Sequence, residues 1–424
     1  MTTLVIGGGW SGLAAAVTLC QQGKSVHVLE SAKQLGGRAR NVQWQDKTID
    51  NGQHLMIGAY TEMLNIMSII GVDPKLAFDR QTVELSIIDD VYPTLKLSGN
   101  NWLPWPLSLA WSLIRSAGLK GLLHVHQLQR DINTCLSRDD ISVSEWLLNN
   151  NQSDRLIKQL WEPLCLATLN TPIHEASAHV LAKVIQDSLG QGKDAADLLI
   201  PKQPLGDVLP QLAADYINNN GGKISLQTRV TDIVVEQNKV SGVKTHDDEL
   251  IAANNIIVAT GPQHANQLLA PYTAIETPEF YPIATVYLQY PDNCRLAKAM
   301  LGMSGSISQW IFDRSQQHPG LMAVVISGPG KHEQMTNNEL AERVSEEVNR
   351  YCPELPADAI DSLVIREKRA TFACTVGIEQ RRSKSDTNVE GLWLAGDYVA
   401  NSYPATLEGA IRNGKNCALI VVNS

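Results

Sequence analysis

The 424-residue chain has no run of about 18 apolar residues, so no stretch is long enough to cross a bilayer as a helix. It has no basic excess either: 35 Lys and Arg against 44 Asp and Glu leave a formal net charge of −9. Displacing the counterions of a phosphate backbone takes a surplus of cations, so nucleic acid is not expected as a partner. There is no C-x-x-C pair. The seven cysteines (Cys20, Cys135, Cys165, Cys294, Cys352, Cys374 and Cys417) are scattered, which gives no zinc site and no disulfide framework. That pattern predicts a metal-free protein of a reducing compartment, the cytoplasm. No signal peptide is expected, because the sequence opens on an apolar strand. Hydrophobic residues make up 44%, enough for two globular domains or one with a large insertion.

What is there begins at the N-terminus. Thr3-Leu4-Val5-Ile6 leads straight into Gly7-Gly8-Gly9-Trp10-Ser11-Gly12, a G-x-G-x-x-G. A helix-forming run from Leu13 stops at Gly23, and a second strand, Ser25 to Leu29, is closed by Glu30. Strand, glycine turn, helix, strand and acid in this order form a dinucleotide-binding βαβ unit. Gly7 permits the tight turn, Gly9 the approach of a pyrophosphate, and Gly12 close packing of helix on sheet. The residues leading into the helix, Trp10 and Ser11 among them, bring free N–H groups and a partial positive charge to the phosphates. Glu30 stands where a carboxylate accepts from a ribose. Leu35-Gly36-Gly37-Arg38-Ala39-Arg40 then follows at short range.

Further along, Asp50-Asn51-Gly52-Gln53-His54 reads as a polar loop. His54 there is either at a substrate mouth or a hydrogen-bonded turn residue. Met63, Ile66, Met67 and Ile70 predict a helix over 60–72, and alternation over 83–98 predicts strands. From Trp102 to Leu128, Leu107, Ala110, Trp111 and Ile114 recur at helical spacing. Three of the nine tryptophans lie here with Arg115, Lys120 and Arg130, and no acid occurs between Asn100 and Asp131. This suits either an interfacial membrane helix or a cap helix over a substrate pocket. Residues 143–189 read as helical from a cap at Ser142 or Ser144, interrupted at Pro163. Glu162 beside that proline is either a buried proton donor or a surface carboxylate. Strand patterns return around Val230, before Gly261, at 284–288 and at 321–326, with one amphipathic helix from Leu340 to Tyr351. Leu392 to Ala395 runs into Gly396-Asp397, and Tyr403-Pro404-Ala405-Thr406 precedes a last helix.

Gly36-Gly37-Arg38 resembles the second FAD signature of the amine oxidase and carotenoid desaturase superfamily, whose arginine lies along the pyrophosphate and flavin. Gly396-Asp397 and the helix after Ala405 and Thr406 resemble its C-terminal FAD segment, and Val230 matches the valine whose backbone contacts the adenine. The resemblance implies an α/β Rossmann-like FAD-binding domain built from 1–95, 201–262 and 366–424, with a substrate domain inserted at 96–200 and 263–365. The internal motifs are more specific. Asp50 to His54, Leu160-Trp161-Glu162-Pro163-Leu164-Cys165, Trp310-Ile311-Phe312-Asp313-Arg314, Glu367-Lys368-Arg369-Ala370-Thr371-Phe372 and Pro404 to Glu408 are together similar to the bacterial hydroxysqualene dehydroxylases of hopanoid synthesis.

That family's reaction, as the resemblance implies it, replaces the allylic hydroxyl of hydroxysqualene by hydrogen at the expense of reduced FAD. A general acid must protonate the hydroxyl, and an apolar pocket must keep water from the cation. His54, Glu162 and Tyr403 are the candidate acids, with His54 favoured, and Arg369 either orients the leaving oxygen or contacts the flavin. No second G-x-G-x-x-G occurs, so electrons come from a separate donor. Contact with the inner face of the cytoplasmic membrane fits an isoprenoid substrate. A carotenoid-type desaturase and a non-catalytic FAD-bearing scaffold are the alternatives.

Overall fold

The computed structural model describes residues 2–99 and 103–424. Its first strand, Thr2–Ile6, lies in the middle of a five-stranded parallel sheet. The order across that sheet is Lys223–Ser225, Ser25–Leu29, Thr2–Ile6, Asn255–Val258 and Leu392–Leu394. Leu4, Val5 and Ile6 are all buried, because helices or loops cover both faces. The chain supplies this sheet in three separate visits, from residues 2–29, 223–258 and 392–394.

Two helices fix its glycine turn. Trp10–Gln21 starts at Trp10, so Gly12 lies inside its first turn rather than before it. A Cβ on Gly12 would stand 2.0 Å from the Gly7 carbonyl oxygen, which is the physical need for that glycine. The C-terminal helix, Leu407–Asn423, crosses this helix at Gly414, where a Cβ would stand 2.1 Å from the Ser11 carbonyl oxygen.

The second body is a seven-stranded sheet in the order Asp361–Phe372, Phe280–Gln289, Leu321–Ser327, Trp310–Asp313, Met300–Met303, Glu84–Ile88 and Leu95–Ser98. All pairs are antiparallel except Met300–Met303 with Glu84–Ile88. Alternation sorts its faces. Val286, Leu288, Val324 and Ile326 pack against Leu340, Val344 and Val348 of helix Asn337–Tyr351. Tyr287, Trp310, Phe312 and Val325 form the opposite, inward face. Two boundaries therefore shift. The strands over 84–98 and 361–372, assigned by sequence wholly or partly to the FAD-binding half, pair into this sheet instead.

The long helix Trp105–Cys135 leans on strand Leu95–Ser98, with Ser112 Oγ donating to the Lys96 carbonyl at 3.0 Å. It is broken at Gly118, whose φ of 73° and ψ of 177° are not helical. Trp102 lies outside the described residues. Residues 143–189 do not form one helix. They divide into Val143–Asn149, capped by Ser142, a helical stretch over 154–169, and Ala178–Asp187. Pro163 is not the interruption. The turns over Ile157–Trp161 just before it are widened to π-helical spacing, which accommodates the missing N–H and the ring. The break comes at Asn170, in the left-handed conformation at φ 51°. Among the described residues no helix is long and apolar enough to cross a membrane.

Candidate active site

One cavity of ≈ 2260 Å³ runs from the carboxyl edge of the parallel sheet to the long helix. That is more than twice the ~300–1,000 Å³ that holds a drug-sized ligand. Its first end is polar. Helix Trp10–Gln21 begins at Gly9 with no side-chain cap and no acid in its first turn. Its first N–H groups are thus left for a ligand. Ser11 lines the cavity, and its buried hydroxyl has no partner. Gly36 N–H donates to the Gly8 carbonyl at 2.9 Å, which lays the second glycine pair against the first. A Cβ on Gly37 would fall 3.2 Å from Gly9 Cα, so the two loops form a cradle lined only by backbone. Glu30 is held ready at its side, accepting from Gly8 N–H at 2.6 Å and Ala32 N–H at 2.7 Å. Val230, Thr260 and Gly261 complete this end, and the buried Thr260 hydroxyl is also unpartnered. A helix N-terminus, a glycine cradle, a ribose-height carboxylate and two orphan hydroxyls fit a dinucleotide.

Arg38 and Asp397 bring the two distant signatures together. Arg38 Nη2 lies 2.6 Å from Asp397 Oδ2, and Nη1 donates to the Ala370 carbonyl at 2.7 Å. Burial works against the guanidinium charge, but Asp397 outweighs it and raises the Arg38 pKa. The Gly396–Tyr403 loop is held from behind by Arg382, which sequence reading missed. Its buried guanidinium donates to the carbonyls of Asp397, Val399, Asn401 and Tyr403, and pairs with Glu379 at 2.7 Å. Asn413 Oδ1 accepts from Gly396 N–H at 2.9 Å, fixing the turn before Asp397. Ala405 and Thr406 line the cavity, and the Thr406 hydroxyl caps the last helix by accepting from Gly409 N–H.

The middle of the cavity holds the titratable groups. His54 lines it, half-buried, with its Nδ1 buried and unpartnered. Burial pushes its pKa down to about 4, and the Arg314 charge adds to this while the Gly52 backbone opposes it. The ring is therefore neutral at pH 7. Tyr403 lines the same region and donates to Asp187 Oδ2 at 2.8 Å. Burial and that hydrogen bond push its hydroxyl up to about 12. Asp187, also on the wall, is tied to Lys183 at 2.9 Å. Arg369 and Glu367 line the opposite strand, with the Arg369 N–H donating to Glu367 Oε1 at 3.3 Å. Glu162 is not on the cavity wall. Burial raises its pKa, but its neighbours are Lys158 and His174, and it is withdrawn from the candidate acids.

Beyond these groups the cavity is mainly apolar, with His126, Gln129 and Asn133 of the long helix the polar exceptions on that wall. Leu113, Leu122, Val125, Leu128 and Ile132 of the long helix face Ile87, Trp310 and Phe312 of the second sheet. Asn170 locks the wall between them. Its amide donates to the Tyr281 and Pro282 carbonyls and to Thr371 Oγ1, while Oδ1 accepts from Gly328 N–H at 2.5 Å. Asp187, Asn170 and Arg382 carry no motif of their own. Only their partners, distant in sequence, mark them.

A model of the family described as flavin containing amine oxidoreductase matches residues 10–422. A hydroxysqualene dehydroxylase of Zymomonas mobilis is 28% identical over 425 residues, covering 98% of each chain. One from Rhodopseudomonas palustris is 28% identical over 430 residues, covering 99% of this chain and 98% of that one. These relatives bear out the resemblance drawn from the internal motifs. A solved oxidoreductase of Methanosarcina mazei superposes with a TM-score of 0.77 over the whole of both chains at 17% identity, and shares the fold.

Proposed function

Because the chain belongs to the flavin-containing amine oxidoreductase family and is a flavin oxidoreductase, we propose that it is an FAD-dependent hydroxysqualene dehydroxylase. The observation that carries this reading is one cavity joining a dinucleotide cradle to a long, mainly apolar arm, with His54, Tyr403, Asp187 and Arg369 on its wall between them. The arm suits an isoprenoid chain, and the junction suits one hydroxyl.

FAD would be held by the Gly7–Gly12 turn, Trp10, Ser11, Glu30, Gly37, Arg38, Val230, Gly261, Gly396, Asp397, Ala405 and Thr406. When reduced and bound, it supplies the hydride that replaces the hydroxyl. The chain does the rest. His54 donates the proton to the leaving oxygen. Its depressed pKa makes the imidazolium scarce at pH 7 but strongly acidic, which suits a poor leaving group. Arg369 orients that oxygen. The Tyr403 O–H is committed to Asp187, so Tyr403 offers the substrate an acceptor rather than a proton. The apolar arm keeps water from the allylic cation until hydride arrives. Electrons come from a separate donor, since the chain has one G-x-G-x-x-G.

An anaerobic single turnover tests the reading. The purified protein, reduced with dithionite, is mixed with hydroxysqualene. Flavin reoxidation with stoichiometric squalene is expected. Inert reduced flavin, together with bleaching of the oxidised enzyme by squalene or a carotenoid precursor, would instead mark a desaturase.

A further inference from the structure

The long helix Trp105–Cys135 has two apolar faces, and the cavity uses only one. Leu113, Leu122, Val125 and Leu128 point inward and line the arm. On the outside, Leu107, Trp111, Leu119 and Leu123 are 58%, 53%, 67% and 64% exposed and face no part of the chain that buries them. Leu107, Trp111 and exposed Arg115 stand at four-residue spacing before the break at Gly118, Leu119 and Leu123 at the same spacing after it, and exposed Lys120 and Arg130 lie in the second half. In a chain of net charge −9, no acid occurs on this helix before Asp131. A water-facing helix would carry acids to match its cations and would not expose a tryptophan among leucines.

We propose that this outer face docks on an anionic lipid bilayer. The leucines and Trp111 enter the boundary between headgroups and acyl chains, and Arg115, Lys120 and Arg130 meet the lipid phosphates. Charge complementarity selects this partner over an uncharged apolar one. The same helix is the wall of the arm, and its break at Gly118 lies between the inward rows Leu109–Leu113 and Leu122–Leu128. An isoprenoid dissolved in the bilayer thus needs to pass only one helix to reach the site. This last step rests on the proposed function; the docking does not.

Vesicle flotation of the flavin-loaded protein tests it, with phosphatidylglycerol-rich vesicles against pure phosphatidylcholine. Wild type is expected to float with the anionic vesicles and much less with the neutral ones. The quadruple variant Leu107→Ser, Trp111→Ser, Leu119→Ser, Leu123→Ser should lose at least roughly tenfold in partitioning, since these apolar contacts supply the insertion. Arg115→Gln with Lys120→Gln should lose roughly tenfold on anionic vesicles and little on neutral ones. None of these side chains lines the cavity, so the flavin spectrum and unfolding midpoint report that each variant is folded. In wild type, Trp111 fluorescence should be quenched by brominated lipid. Flotation of the quadruple variant equal to wild type would overturn the proposal. So would a wild type that ignores both vesicles and elutes as a dimer while the quadruple variant elutes as a monomer, which would assign the face to a second copy. Neither readout uses substrate, so a failed turnover assay would overturn the dehydroxylase reading and leave the docking standing.

Discussion

His54 and Asp50, four residues apart, titrate in opposite senses around Arg314. His54 falls to about 4 in the folded chain from an ordinary 6.5. The unfolded chain thus binds more protons, and this residue's contribution to stability is lost as pH falls from 6.5 to about 4, amounting to ~3 kcal/mol. Asp50, buried, rises from 3.8 to about 6. Here the folded chain binds more protons, so its contribution is lost as pH rises through about 6. The two offset each other over most of that window. His54→Gln should gain stability relative to wild type on acidification from pH 6.5 to 4, and Asp50→Asn should lose it, read as urea midpoints across that range. If His54 is the proton donor, the rate of flavin reoxidation by hydroxysqualene should fall about tenfold per pH unit above its pKa. A rate flat from pH 5 to 8 would exclude it. Arg382→Lys keeps the charge but not the fork that reaches four carbonyls. It should cost ~3 kcal/mol in chemical unfolding and weaken flavin retention, because it leaves buried carbonyls without donors.

At the level of elements, the long helix depends on its break. Gly118 sits in a region of backbone space that is essentially closed to other residues, and no atom lies within 4 Å of where its Cβ would be. Space is therefore not the reason for the glycine. Gly118→Ala should cost ~1–3 kcal/mol by strain alone, measured by the unfolding midpoint. Gly414 is the reverse case, an ordinary helical residue whose Cβ would meet the Ser11 carbonyl. Gly414→Ala should push the two helices apart at the dinucleotide cradle. It should cost ~1–3 kcal/mol and lower the flavin-to-protein absorbance ratio of the purified enzyme.

Across the whole molecule, the candidate cofactor site is assembled from chain segments far apart in sequence. Arg38 and Asp397 are 359 positions apart in number and 2.6 Å apart in space. A ligand bound across such a junction favours the folded state by mass action, ~2.7 kcal/mol at a hundredfold excess over its dissociation constant. Stripping the flavin should accordingly lower the melting temperature, and adding FAD back should restore it in proportion to the logarithm of its concentration.

Some of this was written locally and could be read locally. Gly7 to Glu30 is one continuous βαβ unit whose strand, turn and helix follow from neighbouring residues, and Gly36-Gly37-Arg38 and Gly396-Asp397 are short signatures of backbone approach. Local pattern also marked the long helix, since its apolar spacing and missing acids lie within one stretch. Tertiary structure decided the rest, because it depends on pairing across hundreds of residues. Strands 84–98 and 361–372 joined the second sheet through partners the sequence does not name. Glu162 falls outside the cavity wall although Trp161 and Leu164 on either side line it. His54 became neutral because burial by distant elements removed its water, and Asp187, Asn170 and Arg382 became site residues only through what folded against them. The sequence by itself determined the cofactor class and marked the long helix; which side chains line the cavity, and in what charge state, was settled only when the two sheets closed over it, because that depends on burial by distant segments.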